Sequence, residues 1–491
     1  MGQPFRGVEC FAPLAAYQLL PFRFMRWEDG SVLLVSDVGE HHFLEADEFR
    51  RLTCYELDHR TATYLDLKAK HFLWDPDSLT PLDLVATKYR TKKDFLRGFT
   101  GLHIFVVTLR CDHSCTYCQV SRVTEDRTTF DMSDETARRA IDLLFRSPSP
   151  TLKVEFQGGE PLLTMERITD IVEAIEERNV TEQRRIEFVI ATNLSTLDDG
   201  ILAFCKAHDV HLSTSLDGPA WLHDQNRPTR ARNSHTRTIE QIERARAALG
   251  HDRVSALMTT TARSLAHPRE IVREYLRHGF TEIFLRSVSP YGFAVKTGQA
   301  ALYEAHQFVQ FYREALDEII SANREGRAVV EVYAQLLLRK ILTPFPTHYV
   351  DLQSPAGTGI GAVVYNYDGD VYASDEARML AAMGDKSFRL GDLHTDTYEE
   401  LFGSDVLQAL IQGSVLETMP GCSECAFLPY CGADPIYHHA TQGDIIGHRP
   451  TSAFCAKHMG ILRHLFTLLR AGDQFVTDLF TSWAWQQPTR V

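Results

Sequence analysis

Residues 111–118 read Cys-Asp-His-Ser-Cys-Thr-Tyr-Cys, and they follow a largely apolar run at 103–109 that predicts a buried strand. Cys111, Cys115 and Cys118 therefore lie within eight residues at the end of a strand. Three thiolates on one metal centre leave a coordination position open, which suits a catalytic zinc ion or a four-iron cluster with one iron free for a ligand. The spacing alone leaves both open, together with buried cysteines that bind nothing.

The sequence around this segment repeats a strand-then-helix pattern. The predicted strands are residues 103–109, 152–156, 186–192, 210–216, 253–260 and 282–287. The segments between them have helical periodicity, as in Ala137, Ala140, Ile141 and Leu144 after an N-cap at Ser133. Six such units predict an α/β fold with a parallel sheet, open or curled into a full or partial barrel. The chemistry then belongs at the carboxyl ends of the strands.

Polar residues and glycines cluster where three of these strands end. They are Gly158, Gly159 and Glu160 after the second strand, Thr192 and Asn193 at the end of the third, and Ser215 and Asp217 at the end of the fourth. Paired glycines let the backbone approach a ligand closely, and a carboxylate can pair with an ammonium group. Each residue taken singly also fits a strand-end cap or a turn. Their order along successive strands favours one ligand site.

A second cysteine set lies near the end of the chain. Its members, the C-terminal cysteines, are Cys422, Cys425, Cys431 and Cys455. Four thiolates complete a site, and both zinc and a [4Fe-4S] cluster accept four cysteines, so the spacing leaves the metal undecided. Cys10, Cys54 and Cys205 have no partner at ligand spacing and are predicted to be ordinary semi-buried residues.

The spacing C-x3-C-x2-C with Tyr117 before the last cysteine resembles the signature of the radical S-adenosylmethionine (SAM) enzymes. Residues 215–227 resemble the S-x-D-G-P…H-D-x-x-R stretch of that family's peptide-modifying branch. The resemblance implies a partial (β/α)6 barrel and a SAM-binding [4Fe-4S] cluster on Cys111, Cys115 and Cys118. It implies reductive cleavage of SAM to a 5′-deoxyadenosyl radical that abstracts a substrate hydrogen. The SAM contacts it implies are Tyr117, Gly158, Gly159, Glu160, Thr192, Asn193, Ser215, Asp217 and Arg227.

The C-terminal cysteines resemble the SPASM extension of radical SAM peptide maturases, whose full pattern has seven cysteines and two auxiliary clusters. This chain has Ser354, Ser374 and Pro435 where that pattern has cysteines. The four cysteines present match the set of the outer cluster, so the resemblance implies one auxiliary [4Fe-4S] cluster. It also makes Asp375 a candidate general base, the alternative being a hairpin-end carboxylate that faces water.

Three domains are predicted. They are a small α+β module at 1–98, the radical SAM partial barrel at 99–340, and a SPASM-like domain with C-terminal helices at 341–491. In the first, a strand at 31–35 and a helix at 46–57 follow a turn at Asp29-Gly30. In the third, residues 361–374 predict a hairpin that turns at Asp368-Gly369. The N-terminal module either adds a peptide as an extra strand at a sheet edge or packs without contacting peptide.

Residues 21–24, 434–437 and 447–455 resemble the His-Xaa-Ser system radical SAM maturases. That resemblance implies a ribosomal peptide substrate with His-Xaa-Ser repeats, a paired second radical SAM protein, and an electron donor such as flavodoxin. One alternative is a sulfatase-type maturase that oxidises Ser or Cys in a protein. Another, from a different class, is a non-catalytic metal-binding scaffold that presents a peptide.

Composition excludes several function classes. The chain has 491 residues, with 51 Lys plus Arg against 65 Asp plus Glu and a net charge of -14, so a nucleic-acid partner is not expected. No run approaches the roughly 20 apolar residues of a membrane span. The first residues lack the basic and apolar stretches of a secretory signal, which predicts a cytoplasmic protein whose thiols stay reduced.

Overall fold

A computed structural model describes residues 17–76, 78, 81–120, 123, 127–229 and 231–486 of the protein. Cys10 lies outside these residues. The N-terminal strands are β1 (Gln18–Leu19), β2 (Phe22–Arg26), β3 (Val32–Ser36), β4 (His41–Leu44) and β5 (Leu73–Trp74). The N-terminal helices are α1 (Ala46–Thr53), α2 (Ala62–Ala69) and α3 (Pro81–Lys92).

The N-terminal module is a three-stranded antiparallel sheet, β2-β3-β4, with helices against it. The predicted turn at Asp29-Gly30 joins β2 to β3, and Gly30 has the left-handed φ of 87° that such a turn requires. A small core that includes Leu34 and Phe72 holds the module together. The helix predicted at 46–57 is shorter than expected. It ends at Thr53 because Tyr55 takes a left-handed φ of 62°, which a helix cannot continue through.

The central region alternates strands and helices. Its strands are β6 (Leu102–Thr108), β7 (Thr151–Gly158), β8 (Arg185–Ala191), β9 (Val210–Ser215), β10 (Val254–Thr260), β11 (Glu282–Ile283), β12 (Leu285–Ser287) and β13 (Val330–Glu331). Its helices are α4 (Arg127–Phe130), α5 (Asp134–Arg146), α6 (Met165–Glu182), α7 (Asp199–Ala207), α8 (Ala220–Asn226), α9 (Ser234–Leu249), α10 (Pro268–Arg277), α11 (Gly292–Lys296), α12 (Ala305–Arg324) and α13 (Val332–Leu342).

Six of these strands form the parallel sheet that the sequence predicts, in the order β12-β10-β9-β8-β7-β6. Ser133 caps α5 as expected, since its Oγ accepts the Thr136 N–H at 3.1 Å. The apolar face of α6 is buried, with Ile168 and Ile171 fully covered. All six carboxyl ends lie at one edge, which is where the cysteine-bearing loop begins.

One predicted strand, at 282–287, is divided in two. Residues Glu282–Ile283 pair with β13, whereas Leu285–Ser287 pair with β10. The run therefore contributes to two sheets, and only its second half extends the barrel.

The C-terminal region continues the central sheet. Its elements are β14 (Ala362–Tyr365), β15 (Asp370–Tyr372), α14 (Asp375–Ala381), β16 (Arg389–Asp392), α15 (Tyr398–Phe402), α16 (Asp405–Gln412), α17 (Pro435–Gln442), α18 (Ala453–Arg470) and α19 (Gln474–Trp485). The predicted hairpin is confirmed as β14 and β15, with Gly369 at a φ of 94°. Strand β14 also pairs in parallel with β6, so the sheet has nine strands.

The N-terminal module packs against the C-terminal region. The Tyr430 hydroxyl donates to the Gly39 carbonyl at 2.9 Å, and Arg470 pairs with Asp29 at 2.6 Å. The barrel and the C-terminal region share one hydrophobic core, which includes Phe105 of β6 and Trp483 of α19. Within the described residues, none of the helices combines the length and the apolar character that crossing a membrane requires.

Candidate functional site

The cysteine loop, residues 111–118, leaves the carboxyl end of β6 in the centre of the sheet. A buried ion pair that the sequence analysis missed lies at its base. Arg110 donates to both carboxylate oxygens of Asp131, at 2.8 and 2.7 Å, and is only 5% exposed. An Arg directly before a cysteine motif was the available signal, but its burial depends on the long-range position of Asp131.

The thiols of the cysteine loop are free and partly buried. Burial raises the pKa of the Cys115 thiol to about 11, although the charge on Arg227 lowers it, and burial raises that of Cys111 to about 12. Such thiols remain protonated at neutral pH unless a metal cation binds them. The donor set is therefore suited to a metal centre and poorly suited to a free nucleophile.

Gly158 and Gly159 bring the end of β7 against the base of the cysteine loop. A Cβ on Gly158 would lie 2.0 Å from the Thr108 carbonyl oxygen, and one on Gly159 would lie 2.2 Å from that of Arg110. The Gly159 N–H donates to Thr108 at 2.9 Å, and the next N–H donates to Arg110 at 2.7 Å. The close approach that these glycines permit is thus first of all to the protein's own backbone.

Glu160 is fully buried and joins the ends of β7 and β8. Its carboxylate accepts hydrogen bonds from the Thr192 hydroxyl at 2.6 Å, the Asn193 N–H at 2.7 Å and the Leu162 N–H at 3.1 Å. Burial raises its pKa to about 7, while these three donors lower it. The carboxylate therefore fixes the strand ends, whatever else it binds.

Asn193 connects the end of β8 to the cysteine loop. Its Nδ2 lies 2.9 Å from a carboxylate oxygen of Asp112 and 3.0 Å from Nδ1 of His113. Asp112 and His113 lie between the first two cysteines and were not singled out from the sequence. Glu160, Asn193 and the loop thus form one connected polar network.

Tyr117 makes a second connection, between the loop and the end of β9. Its hydroxyl donates to Asp217 at 2.9 Å and accepts from Nε of Arg227 at 2.7 Å. The second carboxylate oxygen of Asp217 is buried with no hydrogen-bond partner among the described residues. Ser215 ends the same strand half-buried. The structure therefore brings the predicted SAM-contact residues to one edge of the sheet, around the cysteine loop.

The C-terminal cysteines also lie near one another. Burial, followed by the charge on Cys425, raises the pKa of the Cys431 thiol to about 12 and that of the Cys455 thiol to about 11. Nε of Arg449 donates to Sγ of Cys422 at 3.1 Å. Elsewhere, Cys54 is exposed and Cys205 is buried, so neither is semi-buried as predicted.

The spacing of the thiols distinguishes two kinds of metal centre. A tetrahedral zinc ion with bonds of about 2.3 Å holds its sulfur ligands roughly 3.8 Å apart. Among the described residues, no three thiol sulfurs of either cysteine set lie within 4.8 Å of one another. A four-iron cluster binds one thiolate at each of several irons and accepts a wider arrangement. The separation favours a cluster at both sites.

The three positions where the SPASM pattern has cysteines have other structural roles here. Ser374 caps α14 by accepting the Ala377 N–H at 3.2 Å, and Pro435 is the first residue of α17. The Ser354 hydroxyl donates to Glu417 at 2.5 Å and accepts the Leu416 N–H at 2.9 Å. Helix capping and local hydrogen bonds explain these residues without a metal.

Asp375 is the first residue of α14. One carboxylate oxygen, Oδ1, accepts from Nε and a terminal nitrogen of Arg378 at 2.9 and 2.7 Å. The Asp375 side chain is 16% exposed and that of Arg378 is 2% exposed. Asp375 is therefore held by a buried guanidinium, and it is neither a hairpin-end group nor fully open to water.

Comparison with known proteins agrees with this geometry. Residues 105–275 match the sequence model of the Radical SAM superfamily. This segment contains the cysteine loop and the strand ends that surround it. The chain has the radical SAM α/β fold.

Two curated relatives match parts of the chain. A cysteine-type anaerobic sulfatase-maturating enzyme of Clostridium perfringens is 22% identical over 334 residues, which cover 65% of this chain and 84% of that enzyme. An uncharacterized protein of Methanocaldococcus jannaschii is 27% identical over 188 residues, which cover 38% of this chain and 62% of that protein. The chain thus spans less than two thirds of the second relative.

Two solved structures share the fold. Native anSMEcpe with bound AdoMet has a TM-score of 0.61 at 18% identity, covering 75% of this chain and 98% of that one. SuiB of Streptococcus suis bound to the precursor peptide SuiA has a TM-score of 0.53 at 12% identity, covering 89% and 99%. At these identities the likeness shows the fold alone.

Proposed function

We propose that this protein is a radical SAM enzyme that modifies a polypeptide. The observation that carries the proposal is the convergence on the cysteine loop of three strand ends, through Glu160, Asn193 and the pair of Tyr117 with Asp217. Among proteins with this fold, one relative is named a sulfatase-maturating enzyme and one is solved with a precursor peptide. These names support a polypeptide substrate.

The donor set of the cysteine loop fits the cofactors of this proposal. Cys111, Cys115 and Cys118 would hold a [4Fe-4S] cluster, and the predicted contact residues would bind SAM beside it. When bound, these groups supply the reductive cleavage of SAM. The chain's own part is to hold the loop and the strand ends in register, and to keep the unpartnered oxygen of Asp217 buried beside Tyr117.

Reductive SAM cleavage tests the enzymatic proposal. Anaerobically reconstituted protein with dithionite should form 5′-deoxyadenosine, and Cys115→Ala should abolish it because one iron ligand is lost. Cys54→Ala, at an exposed cysteine outside both sets, is the matched control and should retain full activity. SAM cleavage retained in Cys115→Ala, or absent from wild type, would instead favour the non-catalytic metal-binding scaffold.

We also propose one auxiliary [4Fe-4S] cluster on Cys422, Cys425, Cys431 and Cys455. The separation of these thiols and the Arg449 contact to Cys422 support iron over zinc. Two clusters require about eight irons per chain. One zinc ion with about four irons would contradict this part of the proposal.

The resemblance of residues 21–24, 434–437 and 447–455 favours a His-Xaa-Ser repeat peptide as substrate, with a paired radical SAM protein and a flavodoxin-type electron donor. A sulfatase-type oxidation of Ser or Cys is the second candidate, favoured by the match to the Clostridium perfringens enzyme. The mass of each substrate before and after reaction distinguishes them. A change only in the repeat peptide supports the first, and a loss of two hydrogens from a Ser-bearing or Cys-bearing sulfatase peptide supports the second.

Asp375 is the proposed general base for the substrate. Arg378 occupies only its Oδ1, so Oδ2 remains available for a proton. Asp375→Asn should therefore cleave SAM normally and leave the peptide unmodified. An unchanged yield of modified peptide would remove Asp375 from the mechanism.

A further inference from the structure

A large cavity lies outside the cysteine-loop site. It has a volume of about 580 Å³ and opens where β12 ends, between that strand, α12 and the start of α18. A cavity of this size holds a small molecule or a large side chain. Five charged side chains line it, namely Arg286, Asp351, Glu376, Asp434 and Lys457. None of the residues assigned to SAM or to the cluster of the cysteine loop is among its lining residues.

The carboxylates lie next to the positions where the SPASM pattern has cysteines. Asp351 is three residues before Ser354, Glu376 two after Ser374, and Asp434 one before Pro435. Where the family pattern has metal-binding sulfur, this chain presents oxygen acids. Among the described residues, no three acidic groups of this cavity have ligand atoms within 4.8 Å of one another, so they do not form an assembled metal site.

The charges in the cavity are not paired with one another. Within the described part of the chain, none of the five takes part in an ion pair of 4.0 Å or less. Enclosed charges without charged partners are costly, so the contents of the cavity must supply partners. The direct contacts found are hydrogen bonds, from Lys457 to the Ser287 hydroxyl at 3.4 Å, from the Tyr437 N–H to Asp434 at 2.8 Å, and from the Tyr349 side chain to Asp351.

A polar group of a different kind lines the same cavity without a partner. Tyr291 is 1% exposed, and its hydroxyl has no hydrogen-bond partner among the described residues. A buried hydroxyl of this kind costs free energy unless something accepts from it or donates to it. It therefore indicates a polar occupant independently of the charged residues.

The uneven distribution of charge indicates the sign of the occupant. The charges on Arg286 and Lys457 both act on Asp351, and Lys457 also acts on Asp434. At Glu376, burial and then the charges on Asp351 and Asp434 raise the pKa, and no cation opposes them. The uncompensated negative charge is concentrated at Glu376, and a cation would relieve it.

We propose that this cavity binds a basic side chain of the polypeptide substrate, with Glu376 as its principal carboxylate partner and Asp434 and the Tyr291 hydroxyl as further partners. The inference rests on the proposed function for the polypeptide nature of the ligand. It adds a second recognition site at a distance from the cysteine loop along the same edge of the sheet. The chemical class is a guanidinium, an ammonium or an imidazolium group.

The test uses the full-length protein and two small probes. N-acetylargininamide carries the cation, and N-acetylcitrullinamide has nearly the same shape without charge. Wild type should bind the arginine probe at least tenfold more tightly by calorimetry at low salt. Equal affinity for the two probes would overturn the proposal, and this comparison requires no variant.

Glu376→Gln should reduce the affinity for the arginine probe at least tenfold and leave binding of the citrulline probe unchanged. Glu173→Gln, the same chemical change on the exposed face of α6, should bind as wild type does. Unchanged arginine binding in Glu376→Gln, or displacement of the arginine probe by Mn²⁺ at micromolar concentration, would overturn the assignment.

SAM cleavage without substrate separates this inference from the proposed function. Glu376→Gln should still form 5′-deoxyadenosine at the wild-type rate. Cleavage by wild type without discrimination between the probes would leave the proposed function standing and reject the cavity site. Discrimination without any cleavage would do the reverse.

Discussion

Arg449 shows how a single side chain can act on a metal site that it does not ligate. Its Nε donates to Sγ of Cys422 at 3.1 Å, and another guanidinium nitrogen lies 3.4 Å from the Met419 sulfur. A hydrogen bond from a cation stabilises the thiolate form and orients the ligand. The sequence showed Arg449 in the segment before Cys455, but only the fold brings it to Cys422.

Arg449→Gln should weaken iron binding at the C-terminal site. Loss of such a supporting contact typically costs roughly 10–100-fold in metal affinity, so a chelator should remove about half of the iron, as Cys425→Ala should on reconstitution. The measurement is the iron-to-protein ratio after a timed chelator challenge. Arg263→Gln, at an exposed arginine, is the control. Equal iron retention by Arg449→Gln and wild type would contradict the assigned role.

At the scale of elements, local patterns in the sequence predicted the strands well. Apolar runs at 103–109, 186–192 and 210–216 became β6, β8 and β9 within a residue or two. Each run is bounded by turn or helix signals, and each needs no knowledge of its partner. The Asp368-Gly369 hairpin was predicted for the same reason.

Pairing between distant segments could not be predicted in this way. Strand β14 pairs with β6, about 260 positions earlier in the chain, and the run at 282–287 divides between β10 and β13. Such pairing depends on which edges are free after the barrel forms. The site shows the same division, because spacing identified the cysteines whereas the bonds of Glu160 to Thr192 and Asn193 required the fold.

The junction of β6 and β7 supports a prediction at this scale. In Gly159→Ala, the new methyl group would meet the Arg110 carbonyl oxygen at 2.2 Å, so the strand end must move away from the cysteine loop. We expect a loss of about 1–3 kcal/mol in the free energy of unfolding. We also expect loss of most SAM cleavage.

Gly98→Ala is the matched control, since its Cβ would meet only Ser149 Oγ at 3.8 Å, an ordinary contact. Thermal unfolding and 5′-deoxyadenosine formation should be measured on both variants. Wild-type values for Gly159→Ala would show that the junction tolerates displacement and is not what positions the loop.

The whole molecule contains two sets of buried titratable groups that act in opposite directions. Burial lowers the pKa of His103 and of His458 to about 3, so both are neutral in the fold. Burial raises the pKa of Glu160 and of Glu331 to about 7. Acid therefore destabilises the fold through the histidines and stabilises it through the carboxyl groups, so the total pH profile cannot be assigned to either set.

A difference between two chains isolates one group, and His103 is the best placed. It is 1% exposed, its Nε2 lies 3.1 Å from the Thr100 carbonyl, and its Nδ1 lies 2.8 Å from the Tyr365 hydroxyl. Because a carbonyl can only accept, Nε2 carries the proton and Nδ1 accepts from tyrosine. Protonation of Nδ1 would break the second bond and place a charge in the core.

His103→Gln keeps one donor and one acceptor but does not titrate, so it tests this linkage. The folded-state pKa lies below the unfolded value of 6.5, so the stability that the neutral ring contributes is complete above pH 6.5 and is lost as the pH falls. The variant should be less stable than wild type at about pH 7.5, and the gap should narrow by about 2 kcal/mol at about pH 5. Urea unfolding at both pH values measures it, with exposed His306→Gln as the control. A gap that stays constant with pH would mean that His103 titrates alike in the folded and unfolded chain, which its burial and its two hydrogen bonds argue against.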